Sequence, residues 1–162
     1  MARSEIVRPR AGQDHEVAAV WHRAWHDGHH GIVPEALVAL LSFESFLARV
    51  RTHREQMRIA VMDGQVAGLC ICRAPEMYQL FVARAFYGKG VASALLTDAE
   101  ARLSAAGTQV AWLACVPDNE RAITFYRKAG WRSVGQIVEA LETSEGVFEL
   151  PVIRFEKQLL SA

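Results

Sequence analysis

The sequence predicts a single α/β domain with a mixed, mostly antiparallel sheet, a βαβ crossover and flanking helices. Three observations carry that expectation. Two β-rich runs flank Asp63-Gly64, the strongest short hairpin signal. A third run follows a turn at Ala74-Pro75 and extends the hairpin into a meander. Beyond it the pattern switches to strand, helix, strand, and such a crossover joins parallel neighbours. The 162 residues fit one domain, read here as 1–162. A chain of this length buries about 70% of the surface it exposes unfolded, so its core needs no staples.

The elements follow in order. Glu5 to Arg8 reads as an entry strand stopped by Pro9. Asp14 is placed to cap a helix whose apolar positions are Val17, Val20, Trp21, Ala24 and Trp25. Histidines and glycines between Asp27 and Val33 break it. A second helical region follows Pro34, and Ser42 to Arg51 forms a third. Arg58 to Met62 and Gln65 to Cys72 are the hairpin strands, and Met77 to Val82 is the next. Gly88 to Gly90 open a helix with Val91, Leu95, Ala99 and Leu103 on one face, ended by Gly107. Val110 to Ala114 is the return strand. A short helix from Asn119 to Lys128 closes at Gly130, and strands near Trp131 to Val138 and Phe148 to Lys157 complete the sheet.

Eighteen basic residues balance eighteen acidic ones. That argues against a nucleic-acid partner, whose binding rests on a basic footprint. The longest strongly apolar stretch, Ala36 to Leu41, is far short of the roughly 20 residues that span a bilayer, so no membrane partner is expected. The opening Met1-Ala2-Arg3-Ser4-Glu5 lacks the apolar run of a signal peptide. Cys70, Cys72 and Cys115 include no Cys-x-x-Cys pair, and the first two point to one face of a strand. Reduced thiols in a cytoplasmic protein are the expectation.

The chemistry concentrates at Tyr87-Gly88-Lys89-Gly90-Val91-Ala92-Ser93, between a strand and a helix. Glycines there let a phosphate approach the free amides of a helix N-terminus, and Lys89 adds a cation. A bare turn is the competing reading, since neither a Walker A loop nor a complete dinucleotide fingerprint is present. His22, His26, His29 and His30 invite a metal reading, but no cysteine joins them and Asp27 is the one nearby carboxylate. They are placed on the face opposite the Trp21/Trp25 stripe as a solvated or substrate-facing patch, with no metal expected.

Leu80-Phe81-Val82, then Gly88-Lys89-Gly90-Val91-Ala92, then Asn119-x-x-Ala122-x-x-Phe125-Tyr126-x-x-x-Gly130-Trp131 resembles the GNAT superfamily of acetyl-CoA-dependent N-acetyltransferases. The resemblance covers the second half of the chain, and the element order of the first half is compatible with it. It implies acetyl-CoA as acyl donor and a primary amine of a small molecule as acceptor, attacked directly. A peptide acceptor and a non-catalytic CoA-binding module are the alternatives. Members of the family are often dimers, so a homodimer belongs among the expectations.

The resemblance also assigns roles. Leu80, Phe81 and Val82 lie along the pantetheine arm on a strand splayed from its parallel neighbour. Gly88 to Ser93 hold the pyrophosphate, with Tyr87 where the family usually carries Gln or Arg, a departure expected to weaken binding. Phe125 joins the cofactor wall, and Asn119 matches a pantetheine-contacting residue, with a plain helix cap as the competing reading. Tyr126 matches the tyrosine that serves the departing thiolate; the competing reading is a core aromatic. Proton transfer from a phenol of pKa about 10 to a thiolate of pKa about 8.5 is uphill by roughly 2 kcal/mol, which favours hydrogen bonding over full handover.

Glu76 occupies a position where the family often carries Glu or His, and strand alternation puts it on one face with Tyr78 and Leu80. It is the expected base, directly or through a water, and an exposed charge beside the turn is the competing reading. Tyr78 is the second candidate. Trp25, His26, His30, Ile32 and Tyr78 are expected in the acceptor pocket, and Cys115 is expected to be packing. Specificity is expected in the first 55 residues and in Val138 to Leu150.

Overall fold

A computed structural model describes residues 3–143 and 145–159. The opening Met1-Ala2, Ser144 within the expected specificity segment, and residues 160–162 lie outside the described residues. Seven strands form one sheet in the order β1-β2-β3-β4-β5-β7-β6. They are β1 (Glu5–Val7), β2 (Met57–Met62), β3 (Gln65–Arg73), β4 (Glu76–Val82), β5 (Val110–Cys115), β6 (Arg132–Thr143) and β7 (Gly146–Gln158). Every pairing is antiparallel except β4 with β5. The sheet is therefore mixed and mostly antiparallel, as the meander and crossover predict.

The helices are α1 (Asp14–His29), α2 (Glu35–Leu40), α3 (Phe43–His53), α4 (Val91–Ala105) and α5 (Glu120–Lys128). Asp14 is the first helical residue of α1 rather than its cap, which is Gln13. Its carboxylate pairs with Arg51 and Arg54 instead. Ser42 does cap α3, its hydroxyl accepting from the Ser45 amide at 3.2 Å. At the first hairpin Asp63 and Gly64 both take positive φ, 54° and 73°, the backbone of a tight primed turn.

Two cores lie on opposite faces of the sheet. One gathers Leu95, Ala99, Leu103, Ile123, Tyr126, Trp131 and Phe155 under α4 and α5. The other gathers Trp21, Trp25, Leu37, Phe46, Leu69 and Ile71 under α1, α2 and α3. No described helix is long and apolar enough to cross a membrane.

Two irregularities shape the centre of the sheet. The β3–β4 register jumps, with Ile71 opposite Gln79 but Cys72 opposite Met77, so Tyr78 is an extra residue. Such a bulge breaks the two-residue alternation. Tyr78 accordingly packs with the α1–α3 core, while Leu80 packs with the α4–α5 core. The expectation that Glu76, Tyr78 and Leu80 share one face is corrected here. The second irregularity is the parallel pair itself, where β4 and β5 register only at Glu76 and Trp112 before diverging. The sheet opens between them, and the backbone of Leu80–Val82 is left without a strand on that side.

The last hairpin is longer than the sequence pattern suggests. β6 continues past Val138 to Thr143, which pairs with Gly146. Its period holds through the segment, with Ile137 and Leu141 packed inward and Val138 exposed at 63%.

Candidate active site

Two connected cavities occupy the opening between β4 and β5. The larger, about 300 Å³, runs between β4, the loop before α4 and the start of α5. All the residues expected to hold the cofactor line it except Lys89, whose ammonium lies 5.6 Å from the Phe86 ring. Gly90 precedes α4 with φ 79°, a left-handed backbone that favours glycine. The first intrahelical bond runs from the Ala94 amide to the Gly90 carbonyl. The amides of Val91, Ala92 and Ser93 are therefore ahead of the ladder, the arrangement by which a helix N-terminus can receive an anion.

The side chains refine this wall. Asn119 caps α5, its Oδ1 accepting from the Ala122 amide at 3.3 Å. With the oxygen committed to the helix, only its NH₂ remains for a ligand carbonyl. Tyr87 lies under the Arg121 guanidinium, 3.5 Å from the ring centroid, and both side the same cavity.

The smaller cavity, about 110 Å³, passes through the sheet and is lined from both cores. Met77, Leu80, Leu113, Cys115 and Tyr126 come from the α4–α5 side, and Trp25, Tyr78, Phe81, Leu150 and Val152 from the other. Leu80, Phe81, Asn119, Ala122 and Tyr126 line both cavities. Tyr126 is 7% exposed, and no described residue hydrogen-bonds its hydroxyl. Burial pushes the phenol well above its ordinary pKa, helped by nearby Cys115 and Cys70. The phenol is a donor with no acceptor among the described residues. Burial likewise pushes Cys115 up to about 12, leaving an inert thiol.

Glu76 is not an exposed charge. It is 6% exposed and accepts from Arg73 Nη2 at 3.2 Å. Burial raises its pKa against the pull of Arg73, and it lines neither cavity. Of the acceptor candidates, Trp25 and Tyr78 line the smaller cavity. The His26 ring instead bonds the Leu41 carbonyl at 2.9 Å, His30 is exposed, and Ile32 borders a surface recess that shares Gly28, Tyr87, Asn119 and Arg121 with the larger cavity.

His29 lines the smaller cavity, though the sequence reading set it opposite the tryptophan stripe. It stands four residues after Trp25, so helical spacing returns it to the same stripe, where the rings stack at 4.6 Å. Glu139 also lines this cavity. Its signal was a carboxylate at the inward position between Ile137 and Leu141, which the early end given to β6 concealed. No group of three or more His, Cys, Asp or Glu among the described residues has an arrangement able to hold a metal.

The acetyltransferase (GNAT) family model matches residues 14–131. The chain belongs to that family. The architecture is the GNAT fold, and solved structures share it across nearly their whole length. A GCN5-related N-acetyltransferase from Rhodopseudomonas palustris superposes with TM-score 0.77 at 18% identity, covering 98% of each chain. The PaiA N-acetyltransferase of Thermoplasma acidophilum, in complex with coenzyme A, gives 0.69 at 20% identity, covering 96% of this chain and 99% of its own. YncA of Salmonella typhimurium, with its cofactor acetyl-CoA, gives 0.69 at 16% identity, covering 99% and 96%. No curated protein sequence matches significantly.

Proposed function

We propose that this GNAT protein transfers the acetyl group of acetyl-CoA to the primary amine of a small molecule by direct attack. The observation that carries the reading is Tyr126, a buried phenol with no acceptor among the described residues, lining both cavities. The larger cavity suits the donor, as the relatives solved with coenzyme A and acetyl-CoA support. Pyrophosphate falls to the amides at the start of α4, and the pantetheine arm follows the unpaired edge of Leu80–Val82, completing its backbone groups. The donor supplies a thioester whose acyl carbon accepts the amine.

The chain's own groups handle the protons. Tyr126 hydrogen-bonds the sulfur as it takes up the electron pair of the breaking C–S bond. Its raised pKa keeps the phenol protonated and opposes handover, so the bond is donated and the proton stays on the oxygen. An acceptor present as ammonium must lose a proton before attack. Glu76, sealed against Arg73, acts at one remove, through a water it orders or through its charge on neighbouring groups. Cys115, neutral and buried, takes no part as a nucleophile, in keeping with direct transfer.

The test is Tyr126→Phe assayed with acetyl-CoA and a panel of primary amines and peptides. Turnover falls about 100-fold or more, while the affinity for acetyl-CoA stays within twofold. Full turnover in Tyr126→Phe overturns the assignment. A parent chain that binds CoA yet acetylates nothing in the panel is a binding module.

A further inference from the structure

The smaller cavity is lined by polar groups that the reaction scheme above leaves without a task, Glu139 and His29 among them. Glu139 projects from β6 between Ile137 and Leu141 and faces the cavity. No described residue donates a hydrogen bond to its carboxylate or forms an ion pair with it. His29 ends α1 and is 8% exposed. Its Nδ1 lies 2.8 Å from the Trp25 carbonyl. A carbonyl only accepts, so Nδ1 carries the proton and Nε2 keeps its lone pair. No described residue donates to Nε2. The rest of the wall is largely apolar, with Trp25, Phe81, Leu141 and Val152 prominent.

Both groups are therefore hydrogen-bond acceptors, half-buried or buried, that have no donor among the described residues. Leaving such groups unmet is costly, and a ligand able to meet them gains accordingly. A carboxylate or phosphate head offers no donor and is repelled by Glu139. A hydroxyl offers one. A primary ammonium offers three N–H donors, a positive charge and no competing acceptor.

We infer that Glu139 and His29 form the acceptor-amine subsite, which takes a primary amine carried on an apolar or aromatic body. The chemistry rests on the acetyl-transfer reading; the recognition does not. The Glu139 carboxylate holds the ammonium and removes one proton, which it passes to solvent. His29 Nε2 accepts a second N–H and aims the nitrogen lone pair at the acyl carbon. The N–C bond forms, the C–S bond breaks, and its electron pair leaves on sulfur, which Tyr126 hydrogen-bonds. The proton then lost by the new amide nitrogen passes to that sulfur, so the turnover yields amide, thiol and one proton.

The surroundings of Glu139 support its part. Burial raises its pKa, as does the charge of Glu76, against the opposing pull of Arg73 and Arg49. A carboxylate so raised is a better base than an exposed one. Burial lowers His29, and so does His26, against the bond to Trp25, which keeps the imidazole neutral as an acceptor.

Phenethylamine serves as the probe, with glucosamine as a polar amine for comparison. In Glu139→Gln, kcat/KM for phenethylamine falls about 100-fold and the acid limb of the pH profile disappears. The thermal shift with acetyl-CoA is unchanged. His29→Phe keeps the stack on Trp25 and raises KM for phenethylamine about tenfold with little change in kcat. Wild-type kcat/KM in Glu139→Gln, or preference for glucosamine over phenethylamine, overturns the subsite. Binding is read separately by melting with phenethylamine in the presence of CoA. A stabilisation that Glu139→Gln abolishes upholds the subsite even where no acetyl transfer occurs, which would sink the acetyl-transfer reading alone. Equal stabilisation of both proteins, or of neither, overturns the subsite.

Discussion

At residue scale, the departure at Tyr87 has a counterpart in space. The family position that usually offers Gln or Arg carries a phenol here, but that ring supports the Arg121 guanidinium at 3.5 Å. A cation over an aromatic face gains about 0.5–2 kcal/mol, enough to hold the charge beside Gly88 and Gly90. Arg121→Ala should therefore weaken CoA binding about tenfold, or roughly 1.4 kcal/mol, and more so at low salt. Tyr87→Phe keeps the ring face and should change it far less; titration calorimetry separates them. Glu76 and Glu139 give a second prediction. Both pKa values are raised in the fold, chiefly by burial. The native state therefore binds more protons than the unfolded chain between the ordinary carboxylate pKa and the raised one. Stability should fall as pH rises through that window. Glu139→Gln should melt higher than the parent at neutral pH and flatten this dependence, the reverse of what a purely structural carboxylate would do.

At element scale, the site depends on how closely β3 supports β4. Gly68 lies opposite Val82, and a Cβ there would sit 2.6 Å from the Phe81 carbonyl and 3.1 Å from Leu95. The first contact is backbone and cannot swing away. Gly68→Ala should cost about 3 kcal/mol, the upper end for overpacking, and lower Tm by several degrees. Because Phe81 and Val82 line the larger cavity, where the donor is proposed to bind, acetyl-CoA affinity should fall as well, which calorimetry on the folded variant can read. The same elements explain what the sequence made legible. Asp63-Gly64, the glycines before α4 and the apolar stripe of α4 are local signals, so the meander and crossover could be read directly. The Tyr78 bulge is set by pairing with β3, a non-local fact, and alternation alone placed Leu80 on the wrong face. His29 differs from expectation for another reason: four residues after Trp25 it belongs to that stripe on spacing, but the cluster of neighbouring histidines obscures it. Glu139 is hidden because the expected strand stops near Val138, although Ile137, Glu139 and Leu141 keep a two-residue period.

At the scale of the whole molecule, the site exists only because the sheet parts between β4 and β5 while α1, α5 and the last hairpin close around the opening. The cavities draw side chains from elements spread between Ala24 and Val152. A ligand filling the larger one bridges β4, the start of α4 and α5, so its binding energy bears on the whole fold rather than one loop. Binding to the native state alone adds RT ln(1 + [L]/Kd), about 2.7 kcal/mol at one hundred times Kd. For a domain of this size that is several degrees of Tm. Acetyl-CoA and free CoA should each raise the melt by that amount, since both carry the pyrophosphate and the pantetheine arm. ATP shares the phosphates and adenine but lacks the arm proposed to follow Leu80–Val82, so it should give little. A shift with all three would place the binding in the phosphate loop alone, and no shift with any would mean that the chain keeps the family's fold without its donor site.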